Sequence, residues 1–451
     1  MDEAVRDVLQ TVRERVQPDP DERERLRSVR DSIVERTRAA LAERSVGGDV
    51  VLVGSTARGT WLPGDRDIDV FVRFPTDVDR SELESEGLAI GRSVLPDGRE
   101  EYAEHPYVTG AVEGFDIDIV PCYDVDSASE TRSAVDRTPF HTEYLRERLD
   151  DRLATDVRVC KQYLRAIGAY GSDLRTQGFS GYLTELLVLE FDGIDRLFEA
   201  AAEWHPPETF DPADHGTFEG TDPLIVIDPT DPGRNVAAAT TAENVARFQH
   251  HVRRLLADPD CTRFEREERA PLGEQAVADA FRQRATTPIA LRAPRPDIVE
   301  DTLYPQLEKS RTNLADDLDH RGFEVLRSAA FADQTAIALV FELAVAERPA
   351  VERHIGPPVA VREHAERFVA AYSERDVCGP FLDGDRYVVE RERAFRTAAD
   401  LLDSDAILEV GLGSDVAEAL ADRTVLVGPD AVGKIADRFG RELAAYLDPS
   451  P

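Results

Sequence analysis

Two short stretches, Asp67-Ile68-Asp69-Val70-Phe71-Val72 and Phe115-Asp116-Ile117-Asp118-Ile119-Val120, alternate acids with hydrophobes. Successive side chains of a strand point to opposite faces. As strands, the first carries Ile68, Val70 and Val72 on one face and Asp67 and Asp69 on the other, and the second carries Asp116 and Asp118 together. The pattern therefore demands a sheet with one apolar face to bury and one acidic face opposite. Antiparallel pairing of the two segments is predicted to gather four carboxylates. Carboxylates sharing a face repel unless a cation joins them, and a hard divalent ion such as Mg²⁺ takes oxygen ligands. The plain alternative is a solvated acidic sheet face.

The residues before the first acidic pair sharpen that choice. Val50 to Val53 reads as a short strand, Gly54-Ser55 ends it, and a polar turn with Arg58 follows. A strand running into a helical turn presents backbone N–H groups to an anion; Ser55 adds a hydroxyl and Arg58 a cation. Gly-Ser alone is only a tight turn. Followed about a dozen residues later by Asp-x-Asp on a strand, it becomes specific.

Gly-Ser, then Asp-x-Asp, then a distant Asp resembles the signature of nucleotidyltransferases related to DNA polymerase β. Further stretches look like the archaeal-type, class I, CCA-adding tRNA nucleotidyltransferases: Thr138 to Leu145, Cys160 to Leu164, Ile167 to Gly171, Gly178 to Leu183, Asp228 to Ala237, His354 to Val359 and Gly379 to Gly384. The likeness runs from the first helix to about residue 400. One departure is Asp67, where the family often has Glu; the shorter arm keeps the chemistry. The resemblance implies template-independent addition of CCA to tRNA from CTP and ATP. Asp67, Asp69 and Asp118 would hold two Mg²⁺ ions, and Gly54, Ser55, Arg58, His141, Lys161, Tyr170 and Arg234 would contact the nucleotide. It also suggests a homodimer. Asp118 is chosen over Asp116 by motif position. The competing readings are another polymerase β-like enzyme that tails RNA or modifies protein, and an inactive RNA-binding relative.

Lys161 stands out on grounds internal to the chain. Lysine occurs only at 161, 309 and 434, arginine having replaced it almost everywhere. A compact ammonium suits a tight triphosphate pocket better than the wide guanidinium fork; the alternative is a lysine left by chance on a helix surface. Taken blind, His141 is a helix-terminal histidine, Tyr170 a packed aromatic and Arg234 a surface arginine.

With 89 acidic and 54 basic residues the formal net charge is −35. RNA-binding proteins are usually basic, so the charge calls for explanation. At ~1 M salt the Debye length is only ~3 Å, which screens self-repulsion and weakens counterion release. The acidity then reads as a solvent adaptation of a haloarchaeal kind, with RNA held by local arginines, stacking and shape. The four cysteines are scattered with no C-x-x-C pair, which argues against zinc or a disulfide framework. Met1-Asp2-Glu3-Ala4 opens no basic-then-apolar segment and no run of 18 apolar residues occurs, so a soluble cytoplasmic protein with no membrane contact is expected.

The expected fold is α+β and multidomain: a polymerase β-like palm with a mixed sheet, a helical central domain, and an α+β C-terminal region containing an RRM-like or ferredoxin-like subdomain. The boundaries are placed at 1–142 (catalytic), 143–258 (helical, base-recognising), 259–300 with 395–451 (tRNA-binding body) and 301–394 (α+β tail). A helix is expected over 22–44, with Leu26, Val29, Ile33 and Leu41 inward, and another over 241–257 behind a capping box at Thr240 to Glu243. Residues 46–125 read as strand-rich. Residues 204–235, rich in Pro, Gly, Asp and Thr, read as a long loop. Within 301–394 the order expected is a helix (302–321), strands (323–330 and 335–345), a helix (360–373), and a hairpin turning at Asp383-Gly384-Asp385.

Overall fold

The computed structural model describes residues 1–102, 104–216 and 218–451, and the chain forms two units, 1–267 together with Pro451, and 268–450. The first unit opens with α1 (Glu3–Arg15) and α2 (Pro20–Ala42), each begun by an aspartate, Asp2 and Asp19, whose carboxylate accepts first-turn N–H groups. Then come β1 (Asp49–Val53), the short α3 (Gly54–Arg58), β2 (Asp67–Phe74), α4 (Arg80–Val94), β3 (Arg99–Tyr102), β4 (Pro106–Val112) and β5 (Phe115–Tyr123). Helices α1 and α4 were not expected as separate elements; α4 lies inside the stretch read as strand-rich.

The strands form one sheet in the order β1-β2-β5-β4-β3. Ile68, Val70 and Val72 of β2 and Ile117 and Ile119 of β5 are buried with Leu26, Val29 and Ile33 of α2 and Leu83 and Ile90 of α4. The expected antiparallel pairing of the acidic segments is corrected: β2 and β5 run parallel, with Asp67 beside Asp116 and Asp69 beside Asp118. The cause is the connection. Chain leaving β2 crosses back through α4 and returns by the β3–β4 hairpin, and such a crossover brings a strand in parallel. Four carboxylates still share a face, because a parallel register preserves the two-residue period.

The rest of the unit contains α5 (Thr138–Arg146), α6 (Asp151–Ala166), α7 (Gly181–Glu190), α8 (Ile194–Ala202), β6 (Glu208–Phe210), β7 (Leu224–Asp228), β8 (Asp231–Asn235) and α9 (Ala242–Ala257). Its core is aromatic: Tyr163 lies 5.0 Å from Phe198 and 4.9 Å from Phe264 between ring centres, and Trp204 packs on Phe248. The expected loop over 204–235 is corrected to a three-stranded sheet, β6-β7-β8, in which every residue of β7 is buried. The run Leu224-Ile225-Val226-Ile227 supplies that strand inside a segment otherwise composed of turn formers. The capping box before α9 is also corrected. Thr241, not Thr240, caps the helix by accepting the Asn244 N–H, and Glu243 pairs with Arg247.

The second unit contains α10 (Glu274–Arg284), β9 (Thr287–Pro294), α11 (Glu300–His320), β10 (Val325–Ala332), β11 (Ala336–Leu343), β12 (Val351–Pro358), α12 (Arg362–Tyr372), β13 (Cys378–Asp383) and β14 (Arg386–Glu392). It ends with α13 (Ala398–Asp403), α14 (Ser414–Ala421), β15 (Thr424–Val427), α15 (Pro429–Gly433) and α16 (Ala436–Leu447). The helices and hairpin expected within 301–394 form close to their expected bounds. That stretch is not a sheet of its own, however: β10 and β11 pair into an antiparallel sheet ordered β10-β11-β9-β15. Apolar side chains cover it from both sides, Leu303, Leu307 and Leu314 of α11 on one and Val277, Phe281 and Phe439 on the other. This explains why β11 is buried at every position. Its one acid, Glu342, is held by Arg284, Arg327, Thr286 and Tyr446. A second small sheet, β12-β14-β13, carries α12, with Phe368 stacked on His354.

Candidate active site

Val53 ends β1 beside Asp69 of β2, and the chain turns sharply at Gly54 into α3. Gly54 has φ +76°, and a Cβ there would stand 2.1 Å from Oδ2 of Asp69. Both facts demand glycine. The Asp69 carboxylate is thereby laid directly against the phosphate-type turn that the sequence pointed to.

Burial, and then neighbouring carboxylates, raise the pKa of three acids on this face. Asp69 is raised to about 7 by burial first, then by Asp118 and Asp67, with Arg58 opposing. Asp67 is raised by burial and by Asp65, Asp116 and Asp118, and Asp118 by burial and by Glu101 and Asp116 against a hydrogen bond from Thr109. Among the described residues no three acid, imidazole or thiol groups are drawn into a ready-made metal cage. The donor set is nonetheless all oxygen, anionic and mutually repelling, which is the chemistry a hard divalent cation relieves.

Below the turn lies a buried ion network. Arg58 donates to Oε2 of Glu185 from Nη2 at 2.8 Å and from Nε at 3.1 Å, and to Thr142 Oγ1 at 3.1 Å. Lys161 of α6, only 2% exposed, donates to the Thr60 carbonyl at 3.1 Å and hydroxyl at 3.3 Å and lies 3.5 Å from Glu185 Oε1. The Thr60 hydroxyl also bonds Glu185. Lys161 is thus no surface remnant: its ammonium meets the turn and Glu185. Burial lowers its pKa while Glu185 opposes. Glu185, which burial alone would raise, is held below the usual range by Arg58 and Lys161. Arg158, one helical turn before Lys161, donates to the Gly59 carbonyl, and burial lowers its pKa to about 10. Two cations of α6 therefore hold the carbonyl end of the α3 turn, where positive charge is favoured. Tyr170 stands nearby, its hydroxyl 3.2 Å from where a Cβ on Gly181 would lie, with the Arg165 guanidinium 5.0 Å above its ring.

His141 and Arg234 meet elsewhere, at a cleft of about 740 Å³ that Arg137, Ser180, Tyr182 and Asp231 also line. His141 stacks on Tyr182 with ring centres 3.9 Å apart. Its Nε2 and Nη1 of Arg234 each lie 2.8 Å from Oδ2 of Asp228. Helix α5 links this cluster to the first, because Thr142, the residue after His141, accepts from Arg58. Sequence reasoning brought out neither Glu185, Asp228 nor Tyr182 as a site residue. The available signal was a lone acid closing or interrupting an apolar run, Leu-Ile-Val-Ile-Asp for one and Leu-Thr-Glu-Leu-Leu for the other.

Comparison with known proteins agrees along the whole chain. Three family models match: a nucleotidyltransferase domain over residues 34–141, a tRNA nucleotidyltransferase second domain over 155–265, and the C-terminal domain of CCA-adding enzymes over 284–428. The chain is 56% identical to the CCA-adding enzyme of Haloarcula marismortui, with 98% of each chain covered. It is 54% identical to that of Halorubrum lacusprofundi (98% of this chain, 99% of that one), and 40% identical to that of Methanosarcina barkeri (91% of each). Among solved structures, a cytoplasmic RNA terminal U-transferase superposes with a TM-score of 0.45 at 15% identity over 60% of this chain and 100% of its own.

Proposed function

Because this chain belongs to the CCA-adding enzymes, nucleotidyltransferases that add CCA to tRNA, we propose that the acidic face of β2 and β5 is where the nucleotidyl group is transferred. The observation that carries this reading is the register that puts Asp67 and Asp69 beside Asp116 and Asp118, with Asp69 pressed against the Gly54 turn.

Asp67, Asp69 and Asp118 would hold Mg²⁺, which when bound there supplies charge neutralisation for the triphosphate and a lowered pKa for the RNA 3′-hydroxyl. The chain's own groups do the rest. Backbone N–H groups of the Gly54-Ser55 turn and the Ser55 hydroxyl receive phosphate oxygens from CTP or ATP. Arg58 points its charge at the same place while Glu185 and Thr142 fix its orientation. Lys161 and Arg158 act one layer below, holding the turn in the shape that binds the triphosphate. Transfer of this kind needs positioning and charge compensation rather than a covalent enzyme intermediate. His141, Tyr182 and Arg234 receive the base at their cleft, and Tyr170 closes the pocket on the α7 side. Residues 259–300 and 395–451 grip the body of the tRNA, the protein acts in the cytoplasm, and it works as a homodimer.

Asp69→Ala tests the central claim. With tRNA lacking its CCA end, CTP, ATP and Mg²⁺ in molar KCl, the parent is expected to add C, C and A and stop. The variant is expected to add nothing while binding the same tRNA within about threefold, since phosphate and shape contacts elsewhere hold the RNA. Undiminished incorporation by Asp69→Ala would remove the acidic face from the reaction.

A further inference from the structure

Behind the base cleft sits a carboxylate that solvent does not reach. Asp228, the last residue of β7, is fully buried. Its Oδ1 accepts the backbone N–H and hydroxyl of Thr230 at 3.0 and 2.8 Å and the Tyr182 hydroxyl at 3.3 Å. Its Oδ2 faces Nη1 of Arg234 and Nε2 of His141. Burial would raise its pKa, but His141 and Thr230 more than offset this and hold the group ionised. An ionised carboxylate only accepts, so His141 must carry a proton on Nε2. Burial lowers the pKa of His141 against the opposing pull of Asp228. Burial thus favours the uncharged ring, in which Nδ1 offers a lone pair.

We propose that Asp228 is a specificity-determining positioning residue: by holding the His141 proton on Nε2 and the Arg234 guanidinium beside it, it makes the cleft wall present an acceptor next to donors. That arrangement complements the edge shared by cytosine and adenine, an exocyclic amino group beside an unprotonated ring nitrogen. Uracil and guanine present a carbonyl beside a ring N–H and mismatch it at both points. One wall thus suits both nucleotides of the reaction and excludes the other two. The inference rests on the reading that this cleft receives the incoming base.

Asp228→Asn turns the argument into a measurement. The Thr230 backbone N–H cannot reverse, so the amide oxygen must take the Oδ1 place and the amide NH₂ must face His141 and Arg234. His141 Nε2 then becomes the acceptor and its proton moves to Nδ1, which now suits the uracil carbonyl. With tRNA ending in the first C of CCA, and CTP or UTP supplied singly, the CTP-over-UTP ratio of kcat/KM is expected to fall by about tenfold or more. Arg234→Met tests the reading beneath. If it leaves the ratio at the parental value, the cleft does not read the base. If Arg234→Met lowers the ratio and Asp228→Asn keeps it, the cleft reads the base and this inference is overturned. The ¹⁵N shifts of the His141 ring in the parent protein give an answer independent of any variant: a protonated Nε2 and bare Nδ1 support the inference, and the reverse tautomer overturns it.

Discussion

Replacing Glu185 by alanine is the sharpest test of the buried network. The carboxylate takes two hydrogen bonds from Arg58, one from Thr60 and the charge of Lys161, and it is itself fully buried. Its removal leaves two cations facing each other where neither reaches water. Breaking one side of a buried ion pair costs about 3–5 kcal/mol. The first unit spans residues 1–267, and at ~2.1 cal/mol/K of unfolding entropy per residue such a loss lowers Tm by roughly 5–9 °C. The assay is scanning calorimetry in molar KCl at pH 7. A double variant, Lys161→Met with Glu185→Gln, removes one positive and one negative charge and keeps an acceptor for Arg58 and Thr60. It is expected to recover at least about half of the loss, because matched removal of a buried pair costs little, yet to stay poor in nucleotide incorporation. Melting of Glu185→Ala within about 1 °C of the parent, well below the shift expected from its burial, would refute the reasoning, as would a double variant less stable than the single one.

Gly54→Ala forces a side chain into φ +76° and against the Asp69 carboxylate; strain of about 1–3 kcal/mol and at least tenfold slower incorporation are expected, read by melting and a primer-extension assay. Folded-state pKa values of Glu185 and Asp228 are depressed, so their contribution to stability is full above the unfolded carboxylate range and is lost as pH falls through the folded values. Tm of the first unit should therefore drop below about pH 4, more steeply in the parent than in Asp228→Asn. Dilution from ~1 M to ~0.1 M KCl lengthens the Debye length from ~3 to ~10 Å, and with a formal charge of −35 the protein is expected to lose helicity by circular dichroism; an unchanged spectrum would remove the salt-adaptation reading.

What could be read from the sequence depended on how local its cause was. The acidic faces of β2 and β5 were legible because alternation is a property of each strand alone. Their mutual direction was not, since it is set by α4 and the hairpin that follow, and α4 was submerged in a stretch that otherwise reads as strands. The Gly54 turn was legible from its neighbours, whereas the reason Gly54 must be glycine lies in Asp69, across the sheet. Glu185 and Asp228 illustrate the limit. Each is a single acid in an apolar run, and nothing near it in sequence names the arginine, lysine or histidine that neutralises it. Lys161 stood out by scarcity, but its burial and its partners Thr60 and Glu185 could not be read from its neighbours in the chain. Strand β7 was hidden by the proline and aspartate on either side, although its four aliphatic residues were in plain view.

The parallel register of β2 and β5 has a consequence for how such a chain can change. Phase is stored within each strand, and the segment joining them stores none. Lengthening the loop from Pro75 to Asp79, which precedes α4, leaves the reactive ledge intact, much as slack in a rope leaves its two anchors unmoved. Deleting Ile68 would instead rotate every later side chain of that strand by half a turn, carrying valine outward and Asp69 into the interior.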